Sequence, residues 1–233
     1  AYLDPDTALN PHSLDAAWHA AGALTLATDL VMRGECDNAF CAVRPPGHHA
    51  VRGRAMGFCV FNSVAIGILH ALEAHGLSRV AVVDFDVHHG NGTEEIFAGD
   101  ERVLMVSTFQ YPLYPYSGVD PLGDNMLNVP LAPGSDGTRF REAVRDVWLP
   151  ALAAFAPEAI YISAGFDAHR EDPLAGLNFS DDDYAWVTRE LLTVAHAHAQ
   201  GRVVSTLEGG YALSALGRSA ALHVRELVAF RPG

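Results

Sequence analysis

Residues 80–92 read VAVVDFDVHHGNG, and this segment carries the strongest fold signal in the chain. Its first six residues are almost entirely apolar and rich in valine, which is typical of a strand buried on both faces of a parallel sheet. Side chains alternate along a strand, so Asp84, Asp86 and His88 fall on one face. The segment therefore predicts a central strand that presents carboxylates and an imidazole at its carboxyl end.

Four further apolar runs have the same character, and helical segments lie between them. The other strands are predicted at residues 39–43, 103–107, 159–163 and 203–207. The helices are predicted at residues 13–33, 63–75, 139–155, 181–199 and 213–229. Alternating strands and helices imply right-handed crossovers and a mostly parallel sheet. We therefore expect residues 1–233 to form a single three-layer α/β/α domain.

Polar residues follow three of the other strands as well. These segments are RPPGHH at 44–49, AGFDAH at 164–169 and EGGY at 208–211. In an open parallel sheet, ligands bind outside the carboxyl ends of the strands. Four strand ends, with the histidine pairs 48/49 and 88/89, are therefore expected to form one site at this edge.

The composition excludes several classes of function. The 233 residues include 28 acidic and 15 basic residues and 12 histidines, and the net charge of −13 argues against nucleic acid as a partner. There is no lysine, which excludes lysine-based catalysis. No apolar run approaches the roughly 18 residues of a membrane span. Without a signal peptide or a disulfide pattern, a cytoplasmic protein is expected, and its oligomeric state is not readable from sequence.

Asp86, His88 and Asp167 offer the carboxylate and imidazole ligands that suit Zn²⁺. Three protein ligands leave one coordination position open, which is the catalytic form of a zinc site. The alternative is an aspartate at a helix cap and a hydrogen-bonded loop histidine. The expected convergence with His48 and His49 argues against this alternative.

The remaining polar groups at this edge suit proton transfer. His48 and His49 are candidates for ligands or for acid and base groups, because imidazole titrates near neutral pH. Tyr211 offers a phenol that can donate a hydrogen bond to a developing oxyanion. Its ordinary alternative is a tyrosine packed in its loop. Seven histidines on predicted helices or their ends are expected to be structural or solvated, namely those at 12, 19, 70, 75, 196, 198 and 223.

Five motifs occur in a characteristic order along the chain. They lie at residues 44–49, 57–63, 84–93, 163–169 and 207–211. Together they resemble the zinc-dependent histone deacetylase superfamily, specifically its class II and bacterial histone deacetylase-like amidohydrolase branch. The resemblance implies an arginase/deacetylase-like fold. It also implies an enzyme that hydrolyses the amide of an acylated lysine, in a peptide or protein, or of a similar acetylated amine.

The resemblance implies roles for individual residues. One Zn²⁺ per chain would be held by Asp86, His88 and Asp167. His48 and His49 would be the proton-transfer pair, backed by Asp84 and Asn91, with His49 as general base, and Tyr211 would polarise the carbonyl. The walls of a narrow acyl-lysine tunnel would include Gly57, Phe58, Tyr114, Leu174, Gly209 and Gly210. An apolar rim residue such as Leu174 argues mildly against polyamine substrates.

Family members also bind structural monovalent cations, K⁺ or Na⁺. The resemblance places an inner site at Asp84, Asp86, His88, Ser107 and Thr108. It places an outer site at the carbonyls of Phe97, Asp100, Val103 and Asn125.

Three alternatives to a lysine deacylase stay open at this point. The family domain has an N-terminal section before the part that matches residues 2–9, so the chain is expected to be N-terminally incomplete relative to the family. One alternative is an acetylpolyamine or small-amide deacetylase of the same fold. Another is a non-catalytic acyl-lysine binder, if loss of the N-terminal section inactivates the chain. An arginase-like enzyme with two Mn²⁺ ions is the rival class, and Gly90 and His169 stand where its second metal needs ligands.

Overall fold

Helices and strands alternate along the chain in the computed structural model, which describes residues 1–230. The strands are β1 (Asn38–Cys41), β2 (Val80–Asp84), β3 (Val103–Gln110), β4 (Met126–Leu131), β5 (Ala159–Ala164) and β6 (Val203–Leu207). The helices are α1 (Ser13–Met32), α2 (Ser63–Ala74), α3 (Asn91–Phe97), α4 (Gly137–Ala143), α5 (Leu149–Phe155), α6 (Asp181–His198) and α7 (Leu213–Ala229). All five predicted strands are present, with bounds that shift by up to three residues.

The six strands form one sheet in the order β1-β6-β5-β2-β3-β4, and every pair is parallel. Strand β2 lies at the centre, where Asp84 pairs in register with Ser107 on β3 and with Ser163 on β5. The predicted mostly parallel α/β sheet is therefore confirmed. Because all strands run the same way, their carboxyl ends, and the loops that follow them, meet at one edge.

The apolar core is divided between the two faces of the sheet. Val80 and Val82 pack with α1 and α2 on one face. Ala81 and Val83 pack with α4 to α7 on the other face. This alternation explains why the central strands β2 and β5 are mostly apolar, and it confirms the three-layer arrangement.

Sequence analysis missed β4 and α3, and it joined α4 and α5 into one helix. The apolar pattern of β4 is interrupted by Asn128 and by Pro130, which a strand tolerates at the edge of a sheet. A π-helical turn, Val144–Trp148, connects α4 to α5. Pro150 follows this turn and has no N–H to donate, which accounts for the locally shifted hydrogen bonding. Within residues 1–230, no helix is both long and apolar enough to cross a membrane.

Candidate active site

Three ligand-type side chains meet at the carboxyl edge of the sheet, beyond the ends of β2 and β5. Nδ1 of His88 lies 3.0 Å from Oδ1 of Asp86 and 3.3 Å from Oδ2 of Asp167. One ligand atom from each residue lies within 4.8 Å of the other two. Both carboxylates are buried and the imidazole is partly exposed. The structure thus brings together the three residues predicted as zinc ligands.

The carboxylate oxygens of this cluster test whether a metal ion fits it. Oδ1 of Asp167 accepts a hydrogen bond from the Val87 N–H at 2.8 Å, and Oδ2 of Asp86 accepts one from the Gly209 N–H at 2.8 Å. Among residues 1–230, none donates a hydrogen bond to the buried Oδ2 of Asp167, because Nδ1 of His88, 3.3 Å away, carries at most one hydrogen and lies closer to Oδ1 of Asp86. A buried carboxylate oxygen without a partner is costly, and a cation beside it removes that cost. Two carboxylates and an imidazole are also a donor set that Zn²⁺ accepts, so the residues fit a metal ion.

The histidine pair lies in the loop after β1, with a distance of 4.0 Å between the ring centroids. Each imidazole has its own partner. Nδ1 of His48 lies 2.9 Å from Oδ2 of Asp84, whereas Nδ1 of His49 lies 2.8 Å from Oδ1 of Asn91. One histidine is therefore paired with a carboxylate and the other with a neutral amide.

The two imidazoles have opposite pKa shifts because different charges surround them. Burial acts to lower the pKa of His48, but the charges of Asp84 and Asp86 outweigh it and raise the pKa well above 6.5. Burial, together with the charge of His48, lowers the pKa of His49 well below 6.5. At pH 7, His49 is therefore neutral and can accept a proton, while His48 is cationic.

A narrow cavity of about 30 Å³, roughly the volume of one water molecule, opens onto the cluster and the histidine pair. Its lining consists of Pro46, His48, His49, Gly57, Phe58, Asp86, His88, Tyr114, Gly209 and Tyr211. Four of the predicted substrate-binding residues belong to this lining, namely Gly57, Phe58, Tyr114 and Gly209. Two others, Leu174 and Gly210, do not belong to it, and Leu174 is 50% exposed on a neighbouring loop. Larger clefts of about 620 and 510 Å³ lie away from the carboxylate cluster.

Tyr211 lies in the wall of the cavity, and its ring centroid is 6.2 Å from that of Phe58. Burial, with the charges of Asp167 and Asp86, raises the pKa of Tyr211 far above 10. The phenol therefore keeps its proton and can act as a hydrogen-bond donor to a group in the cavity.

Glycine is required at two positions around this cavity. Gly57 has a φ of +57°, and a Cβ atom there would collide with the ring of His49. A Cβ atom at Gly209 would collide with the carboxylate of Asp167. Both loops can therefore bring their backbone directly against the site.

The residues predicted for the inner monovalent cation lie on β2 and β3 and just after β2. Asp84 and Ser107 are register partners, and Thr108 follows as a buried residue. Oγ of Ser107 donates to Oδ1 of Asn128 at 2.9 Å. The structure thus places polar oxygens next to the carboxylate cluster, and the cation site itself stays a prediction.

The residues predicted for the outer cation converge in a different way from the one expected. The carbonyl oxygens of Phe97, Asp100 and Val103 lie 2.9, 3.1 and 2.9 Å from Nδ2 of Asn125. The carbonyl of Asn125 accepts from the N–H of Met105 instead of joining this ring. Three oxygens face an amide nitrogen that has only two hydrogens to donate. The outer cation site also stays a prediction.

Two buried carboxylates that sequence analysis missed hold the loops of the site. Oε2 of Glu208 accepts from the N–H groups of Gly47 and His48, at 2.7 and 3.2 Å. Oδ2 of Asp172 accepts from the N–H of Tyr211 at 2.7 Å. Glu208 carries a sequence signal, because it directly follows a strand. Asp172 carries none, because its partner lies 39 residues away.

His89 was expected to join His88 in the site, but it does not lie in the carboxylate cluster, so that expectation was wrong. Its Nδ1 lies 2.9 Å from Oγ of Ser117, and its Nε2 lies 3.0 Å from Oε2 of Glu94. Ser117 and Glu94 hold the imidazole of His89, whereas the imidazole of His88 contacts the carboxylates of Asp86 and Asp167.

A six-stranded parallel sheet whose carboxyl edge holds an Asp/His/Asp cluster beside a histidine pair defines the arginase/deacetylase-like class of α/β proteins. The profile of the histone deacetylase domain matches residues 1–227. The chain belongs to this family, as the ordered motifs predicted.

Relatives from a bacterium and an archaeon, and a solved structure, agree with this assignment. The chain is 42% identical to a histone deacetylase-like amidohydrolase of Pseudomonas aeruginosa, over 90% of this chain and 57% of that protein. It is 40% identical to a probable deacetylase of Archaeoglobus fulgidus, over 91% of this chain and 60% of that protein. The crystal structure of the HDA15 HD domain superposes on it with a TM-score of 0.93 and 36% identity, covering 100% of this chain and 68% of that chain. The chain thus spans less than two thirds of the length of the Pseudomonas and Archaeoglobus proteins.

Proposed function

We propose that this protein is a zinc-dependent amidohydrolase that removes acetyl groups from the ε-amino group of lysine in peptides or proteins. One observation carries the proposal. A buried carboxylate oxygen of Asp167 without a hydrogen-bond donor lies in the Asp/His/Asp cluster. Asp86 and His88 of that cluster line a narrow cavity together with the histidine pair and Tyr211.

Asp86, His88 and Asp167 would hold one zinc ion per chain. When bound, zinc acts as a Lewis acid towards an amide carbonyl and lowers the pKa of water. The ligand loops are already braced for this role, because backbone N–H groups of Val87 and Gly209 hold the remaining carboxylate oxygens. Such outer hydrogen bonds orient metal ligands.

His49 is assigned as the general base. Its Nδ1–H donates to Oδ1 of Asn91, so Nε2 carries the lone pair and accepts the proton of the attacking water. His48, paired with Asp84, stays cationic and keeps the pKa of His49 low. The protonated Nε2 of His49 then returns its proton to the leaving amine.

Tyr211 is assigned to the carbonyl oxygen of the substrate. Its phenol donates a hydrogen bond that strengthens as negative charge develops on that oxygen. Asp172 accepts from the backbone N–H of Tyr211 and thereby positions the loop.

The residues that line the cavity have the chemistry that suits an acylated lysine. Phe58 and Tyr114 offer aromatic faces for an extended aliphatic chain, and Gly57 leaves room between the chain and His49. Burial raises the pKa of Tyr114 to about 12, and the nearby charges of Asp4 and Asp6 add to the shift. These carboxylates make the surroundings of Tyr114 suitable for a cationic peptide.

We also propose structural K⁺ or Na⁺ ions at the predicted inner and outer sites. The ring of carbonyls around Asn125 supports the outer one, because carbonyl oxygens are the ligands that such ions prefer.

Turnover of a fluorogenic acetyl-lysine peptide tests the main proposal. The purified chain is stripped of metal with a chelator and reloaded with Zn²⁺. We expect turnover that the chelator abolishes and added Zn²⁺ restores. Absence of turnover in a folded, zinc-loaded sample contradicts the proposal and favours a binding protein. If acetylpolyamines or small amides are turned over faster than the peptide, the substrate is one of these amides and not an acylated lysine.

A further inference from the structure

A second group of metal-ligand side chains lies between α1 and α2, outside the candidate active site. Nε2 of His70 and Nε2 of His75 lie 2.8 and 2.7 Å from the same atom, Oδ1 of Asp29. The two imidazole centroids are 5.4 Å apart, and the planes are nearly perpendicular at 84°. Three potential ligands thus converge on one point, with their ligand atoms within 4.8 Å of one another.

The location of this group favours a cation. Asp29 lies in the last turn of α1, and His75 is the residue that caps the C-terminus of α2. Helix C-termini carry partial negative charge and stabilise nearby cations. Neither helix has a basic residue in its last turn. The chain as a whole has a net charge of −13, which adds to the attraction.

One basic side chain does approach the group from outside the helices. Nη2 of Arg33 lies 3.4 Å from Oδ2 of Asp29, and its Nη1 lies 3.9 Å from Oε1 of Glu35. Arg33 therefore occupies the carboxylate oxygen that the histidines do not contact. Oδ1 of Asp29 and the two Nε2 atoms are left facing one another.

The donor set and its exposure suit a divalent transition metal. Two imidazoles and one carboxylate are ligands that Zn²⁺ accepts, with metal–ligand distances of roughly 2.0–2.2 Å. A tetrahedral ion would need its ligands roughly 3.3 Å apart, so the histidines have to move outward by about half an ångström. The side chains of Asp29, His70 and His75 are 25%, 27% and 18% exposed, which leaves room for that movement and for a water ligand.

We propose that Asp29, His70 and His75 form a second zinc site, which ties α1 to α2. The site is separate from the candidate active site. His75 precedes β2 by five residues, whereas Asp86 follows the end of β2 by two, so the two groups lie at opposite edges of the sheet. This site is independent of the proposed deacylase activity, and its role is to fasten the two helices to each other.

Zinc titration of the metal-free chain tests this proposal. Calorimetric titration with Zn²⁺ alone is expected to give two sites in the unmodified chain and one in His75→Ala. His198→Ala removes an exposed histidine of α6 and serves as the matched control, which should keep both sites. Circular dichroism checks that each variant is folded, and His70→Gln replaces His75→Ala if that variant unfolds.

Thermal melting gives a second readout that does not depend on activity. In Asp167→Ala, which lacks a predicted ligand of the other cluster, Zn²⁺ should still raise the Tm, because binding to the folded state stabilises it. The double variant Asp167→Ala/His75→Ala should show no such rise. An equal number of zinc sites in the unmodified chain and in His75→Ala would overturn the proposal.

The pattern of losses separates this site from both alternatives for the active site. If Asp167→Ala keeps two sites while His75→Ala loses one, the active-site ligand assignment fails and the second site stands. If Asp167→Ala loses two sites at once and His75→Ala loses none, the chain has a two-metal centre of the arginase type, and the second zinc site is wrong.

Discussion

Two groups of aspartate and histidine occur at opposite edges of the sheet, and they differ in how deeply they are buried. In the buried group, burial and the charge of Asp86 raise the pKa of Asp167 to about 6. In the partly exposed group, which consists of Asp29, His70 and His75, hydrogen bonds from the two histidines lower the pKa of Asp29. Asp167 therefore resists ionisation and Asp29 favours it, while within the buried group the charge of His48 lowers the pKa of Asp86.

The comparison shows what a cation does for each group. The buried group holds two carboxylates close together, away from water, with one oxygen lacking a donor, so it needs a cation to offset desolvation and repulsion. In the partly exposed group, the carboxylate of Asp29 already has two imidazoles and the guanidinium of Arg33 as partners. We therefore expect a bound metal to be essential at the first group and auxiliary at the second.

The largest effect is expected from Asp167→Ala. The substitution removes one of three ligands, so zinc bound at the carboxyl edge should be lost. Turnover of an acetyl-lysine peptide should fall by more than the roughly 10–100-fold that loss of an outer partner of a metal ligand costs. Elemental analysis and steady-state kinetics measure both. Asp120→Ala, an exposed position, is the control, and full activity in Asp167→Ala would refute its role as a ligand.

Tyr211→Phe tests a donor at the same edge that does not hold the metal. The phenol hydrogen bond is lost while the ring stays, so kcat should fall by about 10²–10³-fold with zinc still bound. Tyr116→Phe changes an exposed tyrosine and should leave kcat unchanged. A Tyr211→Phe variant as active as the unmodified chain would show that the carbonyl is polarised by other groups.

Asn91→Asp tests the low pKa of His49 through pH dependence. A general base must be unprotonated, so kcat/KM should decline as the pH falls through the pKa of His49, which lies below 6.5. A carboxylate in place of the amide, 2.8 Å from Nδ1, favours the charged imidazole and should raise that pKa by about 1 unit. The acid limb should then move to higher pH. An unmoved limb, as expected for the exposed control Asn178→Asp, would mean that another group sets it.

The smallest effect is expected from His75→Ala without metal. His75 lies at the edge of the sheet opposite the candidate active site, so turnover should be unchanged. Its group is partly exposed, so the metal-free Tm should change little. A peptide assay and a melting curve in chelator measure this. A large loss of activity would mean that the two edges of the sheet are coupled, which would contradict the independence of the two groups.

Much of the site was predictable because its residues lie close together in sequence or directly after strands. The alternation along β2 predicted that Asp84, Asp86 and His88 share a face, and parallel pairing predicted that Asp167 would join them. The structure brings these residues together. Their catalytic and metal-binding roles stay predictions that the experiments above test.

Other parts were not predictable from local pattern. Asp172 reaches the N–H of Tyr211 across 39 residues, and Asp29 reaches His75 across 46, and such pairs leave no periodic signal. His70 and His75 were interpreted as structural or solvated helix residues. Their shared contact with one carboxylate oxygen depends on how α1 packs against α2.

The sequence by itself determined five of the six strands, most of the helices, the parallel sheet and the ionisable residues at its carboxyl edge. These follow from apolar periodicity and from the direction of parallel strands, which are local properties. Only the tertiary structure decided which side chains meet and how deeply they are buried. Burial and neighbouring charge shift the pKa values of His48 and His49 in opposite directions, although the two residues are adjacent in sequence. The charges of Asp84 and Asp86 raise the pKa of His48, whereas burial and the charge of His48 lower the pKa of His49.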